Sequence, residues 1–307
     1  MIFEDHKSCP VPLLQDNISV QETLVKPSYL NQQILQSENI QSGVSSVKMF
    51  SDSYANALYE HGLLKASRRF DHCGDPVTLY CSHCGHQEVV KYACGLRTCP
   101  ECSRRLSHFY VSKFFDVLSH LPINATHMFR LITLTTSLDV SKDNMRFIRQ
   151  VLSKFSKKFN KRGEGMLAGI EAGETGHKLH IHVLHYGKFI KQDDVAKWWV
   201  KATLGFGQVV DVRSIKGQGS SFMLRKGLKE VLKYSTKLTS MNNDELANLE
   251  LSLKGTRRIA AYGMFYRLDR WIRAERKQWS RVCPVCGCTD WITDDGLKFM
   301  NIGGAGG

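Results

Sequence analysis

Two histidines separated by one residue, His180 and His182, sit in the segment LHIHVL at 179–184. On a β-strand, side chains alternate between faces, so residues two apart point the same way. Two imidazoles on one face of a rigid strand can hold a divalent metal, and imidazole suits Zn, Ni, Cu, Mn or Fe when a carboxylate assists. Glu171, on the neighbouring strand of an expected hairpin, supplies either that carboxylate or a group that orients a histidine. Leu179, Ile181 and Val183 mark the opposite face as buried. By the same alternation His185 points away from His182.

A second constellation follows at 230–237, EVLKYSTK. On a helix Glu230 and Tyr234 are i and i+4, and Lys237 is three further on, so the three project to one side. A free tyrosine ionises near pH 10. A nearby metal, lysine or polarised phosphate favours the phenolate and makes it a nucleophile.

Nine of the ten cysteines fall in two blocks: Cys73, Cys81, Cys84, Cys94, Cys99 and Cys102, then Cys283, Cys286 and Cys288. Paired C-x-x-C spacing without a recognisable export signal reads as metal ligation rather than disulfides. Cys81, Cys84, Cys99 and Cys102, two C-x-x-C pairs 14 residues apart, are expected to bind one structural zinc. Cys94 is an alternative ligand, and Cys73 or His86 a ligand to a further ion. Cys283, Cys286 and Cys288 make half of a second zinc site, with the fourth ligand coming from Asp290, elsewhere in the chain or a partner.

These residues need elements to position them. Strands are expected over about 128–138, 166–173, 179–186 and 208–214, and helices over about 54–70, 103–121, 141–161, 193–203, 222–239 and 243–253. Strands mixed with helices, with one evident hairpin, place the chain in the α+β class with a mainly antiparallel sheet flanked by helices, plus small zinc-binding modules. The expected organisation is an irregular tail over 1–53, a zinc-binding module over 54–108, the main domain over 109–280 and a short cysteine module over 281–307.

Of the 307 residues, 42 are Lys or Arg against 29 Asp or Glu, a formal charge of +13, which favours a polyanionic partner. No run approaches the 18 apolar residues of a membrane span, and the start of the chain does not read as a secretory signal, so a cytoplasmic location is expected. The helix at 141–161 and the segment 256–281 concentrate basic residues, the latter interleaved with aromatics such as Tyr262, Tyr266 and Trp271. Arginines there can pair with phosphates while aromatics stack on bases. Arg97, Arg104 and Arg105 are expected to bring the first cysteine block against DNA, and Tyr262 and Tyr266 to pack in the core.

The succession LITLTTS (131–137), LHIHVL (179–184) and E-x-x-x-Y-x-x-K (230–237), preceded by CGLRTCPECSRR (94–105), resembles single-tyrosine plasmid replication initiators of the HUH endonuclease superfamily. The likeness spans about 73–270. It implies an HUH-type domain that nicks one strand at a plasmid origin. His180 and His182, with Glu171, would hold Mg²⁺ or Mn²⁺. Tyr234 would form a 5′-phosphotyrosine link and leave a 3′-hydroxyl primer. Glu230 would activate water at termination, and Lys237 would steady the phosphate. The implied partners are single-stranded or hairpin origin DNA, a host helicase and polymerase, and a second copy of the chain; no membrane is implied. A rolling-circle transposase or mobilisation relaxase shares this chemistry. A zinc-dependent DNA-binding regulator is the non-catalytic alternative.

Overall fold

The computed structural model describes residues 53–124, 127–161, 163–172, 178–215, 220–233, 241–278 and 281–293. The tail expected over 1–53 therefore lies outside the described residues except for its last position. Eight helices and eight strands fill the described segments. They are α1 (53–60), α2 (Leu64–Asp71), β1 (Pro76–Cys81), β2 (Gln87–Lys91), α3 (Pro100–Leu118), β3 (Met128–Asp139), α4 (Lys142–Phe159), β4 (Gly165–Ala172) and β5 (Lys178–Gly187). Then come α5 (Gln192–Ala202), β6 (Gly207–Ser214), α6 (Ser220–Leu232), α7 (Asn243–Leu253), β7 (Ile259–Gly263), α8 (Met264–Gln278) and β8 (Trp291–Thr293).

The main sheet is antiparallel, in the order β6-β3-β5-β4-β7. Its centre is β5, whose alternation sorts the core into two layers. Leu179, Ile181 and Val183 face one side, with Ile132 and Leu134 of β3 and Met166, Ala168 and Ile170 of β4. Helix α4 packs there through Met145, Ile148, Leu152 and Phe155, which recur at helical spacing. Its entry is fixed by Ser141, whose side chain accepts a hydrogen bond from Asn144 N at 3.1 Å. Helix α7 lends Leu246, Ala247, Leu249 and Leu253 to the same core, and a capping box between Asn242 and Glu245 sets its start.

Leu184 and Tyr186 of β5 face the other side, together with Phe129, Leu167, Ile259 and Ala261. There they meet α3, α6 and α8 through Phe114, Leu228, Val231, Phe265 and Ile272. His180 and His182 belong to this second face by register. His182 stands opposite Thr133 of β3 and Gly169 of β4, and His180 opposite Thr135 and Glu171.

A smaller antiparallel sheet, β2-β1-β8, joins the first cysteine block to the end of the described chain. The segment 281–293 thus folds onto the block that contains Cys81. The single helix expected over 54–70 is two helices, because Gly62, at φ +72°, turns the chain between them. The basic stretch 256–279 is not one element. It changes from strand β7 to helix α8 at Gly263, whose φ is +61°. Tyr262 and Tyr266 therefore sit on different elements. Tyr262 is partly buried, while Tyr266 is 53% exposed, which corrects the expectation that both pack in the core.

Candidate functional site

The C-terminal end of α6 comes down on β4 where β4 carries no side chain. A Cβ placed on Gly169 would lie 1.8 Å from the Val231 carbonyl oxygen, so only glycine lets the helix this close. Gly169 is also the register partner of His182. This close approach delivers the last turn of α6 to the histidine.

The resulting cluster is tightly charged. His182 is 8% exposed and Glu171 is 7% exposed. His182 Nε2 lies 2.9 Å from Glu171 Oε1 and 3.6 Å from Glu230 Oε1. Its other nitrogen, Nδ1, is 3.4 Å from Thr133 Oγ1. Lys233 donates to Glu230 Oε1 at 2.6 Å, and its ammonium is 3.8 Å from Glu171 Oε2. Four ionisable groups thus meet on one half-closed face. His180 shares this face and is partly buried. Among the described residues, the ligating atoms of Glu171, His180 and His182 are not drawn to a single point. Although Glu171 stands opposite His180 in register, its carboxylate reaches His182 and the Lys233 ammonium. Of the E-x-x-x-Y-x-x-K residues, Glu230 is in the cluster. Tyr234 and Lys237 lie outside the described residues, which break off after Lys233.

Lys233 was not singled out from sequence, although i and i+3 spacing from Glu230 was a signal for it. His185 falls on the opposite face, fully buried, with its Nε2 3.9 Å from Glu164. Burial pulls its pKa down to about 4, against a partial counter-effect from the Glu164 carboxylate.

The cysteines assemble differently from the expectation. Cys81, Cys84, Cys99 and Cys102 do not form one group. One cluster consists of Cys73, Cys94, Cys99 and Cys102, and the other of Cys81, Cys84, Cys283 and Cys286. The reason is that β1 and β2 carry Cys81 and Cys84 away from the start of α3, where Cys99 and Cys102 sit, and pair them with β8. The half-site at Cys283 and Cys286 is completed by this chain, not by Asp290. Cys288 stays outside it, accepting from Asp290 N at 3.4 Å.

In each cluster the sulfurs have the spacing of a tetrahedral zinc site. Zn–S bonds of about 2.3 Å imply S···S separations of about 3.8 Å. The observed separations are 3.6 Å for Cys73–Cys99, 3.7 Å for Cys73–Cys102 and 3.5 Å for Cys94–Cys102. They are 3.5 Å for Cys81–Cys286 and 3.6 Å for Cys84–Cys283. Both donor sets support structural zinc.

Of the basic residues expected on DNA, Arg97 and Arg258 are bonded internally, while Arg104 and Arg105 stay on the surface. The Arg97 guanidinium donates to the Leu253 carbonyl, and Arg97 N donates to Glu250 at 3.0 Å. Arg258 is buried and donates to Ile170 O at 3.1 Å. Arg104 and Arg105 are paired with Glu101. On α8, however, Tyr266, Arg267, Arg270 and Trp271 are exposed, while Asp269 is buried against Arg273. Helix α8 lies on the same side of the sheet as His182, whereas α4 lies on the other. No described helix is long and apolar enough to cross a membrane.

Comparison with known proteins adds a family. A replication protein family matches residues 89–283, more than half of the chain. A transposase zinc-binding domain matches residues 47–129. "Protein rep" of Lactiplantibacillus plantarum is 25% identical over 237 residues, covering 67% of this chain and 72% of that protein. No solved structure matches the chain.

Proposed function

Because the chain belongs to the replication protein family, we propose that it is an initiator that starts rolling-circle replication by nicking one strand at a plasmid origin, with Tyr234 as the nucleophile. The observation that carries this reading is the meeting of His182, Glu171 and Glu230 at the end of the helix that leads into Tyr234.

Glu171, His182 and His180 would hold Mg²⁺ or Mn²⁺. His182 and Glu171, both buried with nitrogen and oxygen 2.9 Å apart, are the imidazole and carboxylate that would hold the ion. When bound, such an ion polarises a non-bridging oxygen of the scissile phosphate. Every other step belongs to the chain. Thr133 Oγ1, 3.4 Å from Nδ1, holds the far side of the His182 ring and leaves Nε2 to face Glu171. The phenolate oxygen of Tyr234 forms a bond to phosphorus, and the bond from phosphorus to the 3′-oxygen breaks. That oxygen takes up a proton and leaves as the 3′-hydroxyl primer. The phosphodiester energy is retained in the 5′-phosphotyrosine, so the strand can later be rejoined. Glu230, within reach of the same face, takes a proton from water at termination. Lys237 steadies the phosphate. The exposed arginines and aromatics of α8 offer a surface for the DNA strand. A host helicase and polymerase act on the product, and a second copy of the chain is a further partner.

A second reading, rolling-circle transposition with the same chemistry, is favoured by one observation, the match of residues 47–129 to a transposase zinc-binding domain.

The test mixes the full chain with single-stranded origin DNA and Mn²⁺ and resolves the product on a denaturing gel. A metal-dependent covalent adduct, absent in Tyr234→Phe, is expected. Glu230→Ala is expected to form the adduct but not to release it; equal loss of both steps would remove Glu230 from the water-activating role. DNA binding by the wild type with no adduct on a proven origin would favour the non-catalytic regulator.

A further inference from the structure

A divalent ion at His182 would meet a cation already in place, the ammonium of Lys233. Two carboxylates, Glu171 and Glu230, share one ammonium, that of Lys233. The Lys233 side chain is only 16% exposed, so its attraction to both carboxylates is screened less than on an open surface. Its Nζ is 2.6 Å from one carboxylate and 3.8 Å from the other. His182 Nε2 approaches the same two residues. A divalent ion at His182 and Glu171 and the Lys233 ammonium would therefore draw on the same carboxylates.

We propose that Lys233 is a positioning residue: its ammonium holds Glu171 and Glu230 in place before a divalent ion arrives and yields them when it binds. The inference rests on the reading that His182 and Glu171 take such an ion. It assigns Lys233 a work distinct from that of Lys237. Among the described groups, with Lys233 in place the two carboxylates and one ammonium sum to a single negative charge. Without it they sum to two, and the site attracts a divalent ion more strongly. The ammonium thus lowers metal affinity in exchange for an ordered metal-free site. Once displaced, it is a cation next in the chain to Tyr234, free to meet the phosphate.

This reverses the sign expected of a merely structural lysine. If Lys233 only braced the cluster, removing it would loosen the ligands and weaken metal binding. If it competes with the ion, removing it tightens binding.

The test is a Mn²⁺ titration of the full, zinc-loaded chain without DNA, read by the loss of the free Mn²⁺ electron paramagnetic resonance signal. Wild type, Lys233→Met, Lys233→Arg and His182→Ala are compared. The expected result is that Lys233→Met binds Mn²⁺ about tenfold more tightly than wild type. Lys233→Arg, which keeps the charge, stays near the wild-type value, and His182→Ala loses the site. Unchanged or weaker binding in Lys233→Met, with His182-dependent binding intact in wild type, overturns this inference alone. Wild-type binding that is absent or indifferent to His182→Ala overturns the metal reading, and this inference with it.

Discussion

Three thiols, those of Cys73, Cys94 and Cys99, close around that of Cys102, while two carboxylates and an ammonium crowd around the imidazole of His182. The thiol clusters have the complete tetrahedral set of a structural zinc site. The histidine cluster is mixed in charge, and its described groups are not drawn to one point. Structural metal sites are closed by protein ligands, whereas reactive ones keep a position for water or substrate. The difference teaches where rigidity is needed. The thiols tie segments distant in sequence to one another, whereas the approach of α6 to β4 beside His182 rests on Gly169.

The two thiol clusters also differ from each other. Cys94, Cys99 and Cys102 belong to the same core as Ile132, Ile181 and Phe155. Cys81 and Cys283 belong to a small separate core with Leu79 and Trp291. The largest effect is expected from Cys102→Ser. It should release one of two zinc equivalents and abolish cooperative folding, because a structural zinc contributes several of the roughly 5–15 kcal/mol available to a domain. Zinc release and a thermal melt check it; a variant that loses zinc but melts like wild type would contradict it.

Cys286→Ser should also release one zinc, with a milder result. The pairing of β8 with β1 is lost, protease trims the chain beyond residue 281, and the main sheet still melts cooperatively. Mass measurement of the trimmed product checks this.

Gly169→Ala acts on the histidine cluster. The added methyl meets the Val231 carbonyl and pushes α6 away from His182. Stability should fall by about 1–3 kcal/mol, and nicking by about tenfold to a hundredfold because the reacting groups separate. Zinc content should not change. Loss of stability without loss of nicking would show that the close approach serves packing alone.

How much of this was legible in the sequence depended on how local the cause was. Strand alternation put His180 and His182 on one face and His185 on the other. It needs only neighbouring residues, and the structure bears it out. Helical spacing likewise foretold the buried row of α4 from Met145 to Phe155. The pairing of the cysteines was not legible. Each C-x-x-C is local, but which pair meets which is set by β8 docking on β1, and Cys84 and Cys283 lie 199 positions apart. The break between β7 and α8 escaped because the segment reads as continuously basic, and the turn rests on one glycine. Lys233 is half legible: its spacing from Glu230 is local, but its second partner, Glu171, comes from a strand distant in sequence.

The most direct test of the central claim is to digest the covalent DNA adduct and identify the modified peptide by mass spectrometry. The expected result is a nucleotide 5′-phosphate on Tyr234, formed only with Mg²⁺ or Mn²⁺ and absent from His182→Ala. A nucleotide carried by Tyr262, Tyr266 or any other residue, or an adduct indifferent to His182, would contradict it.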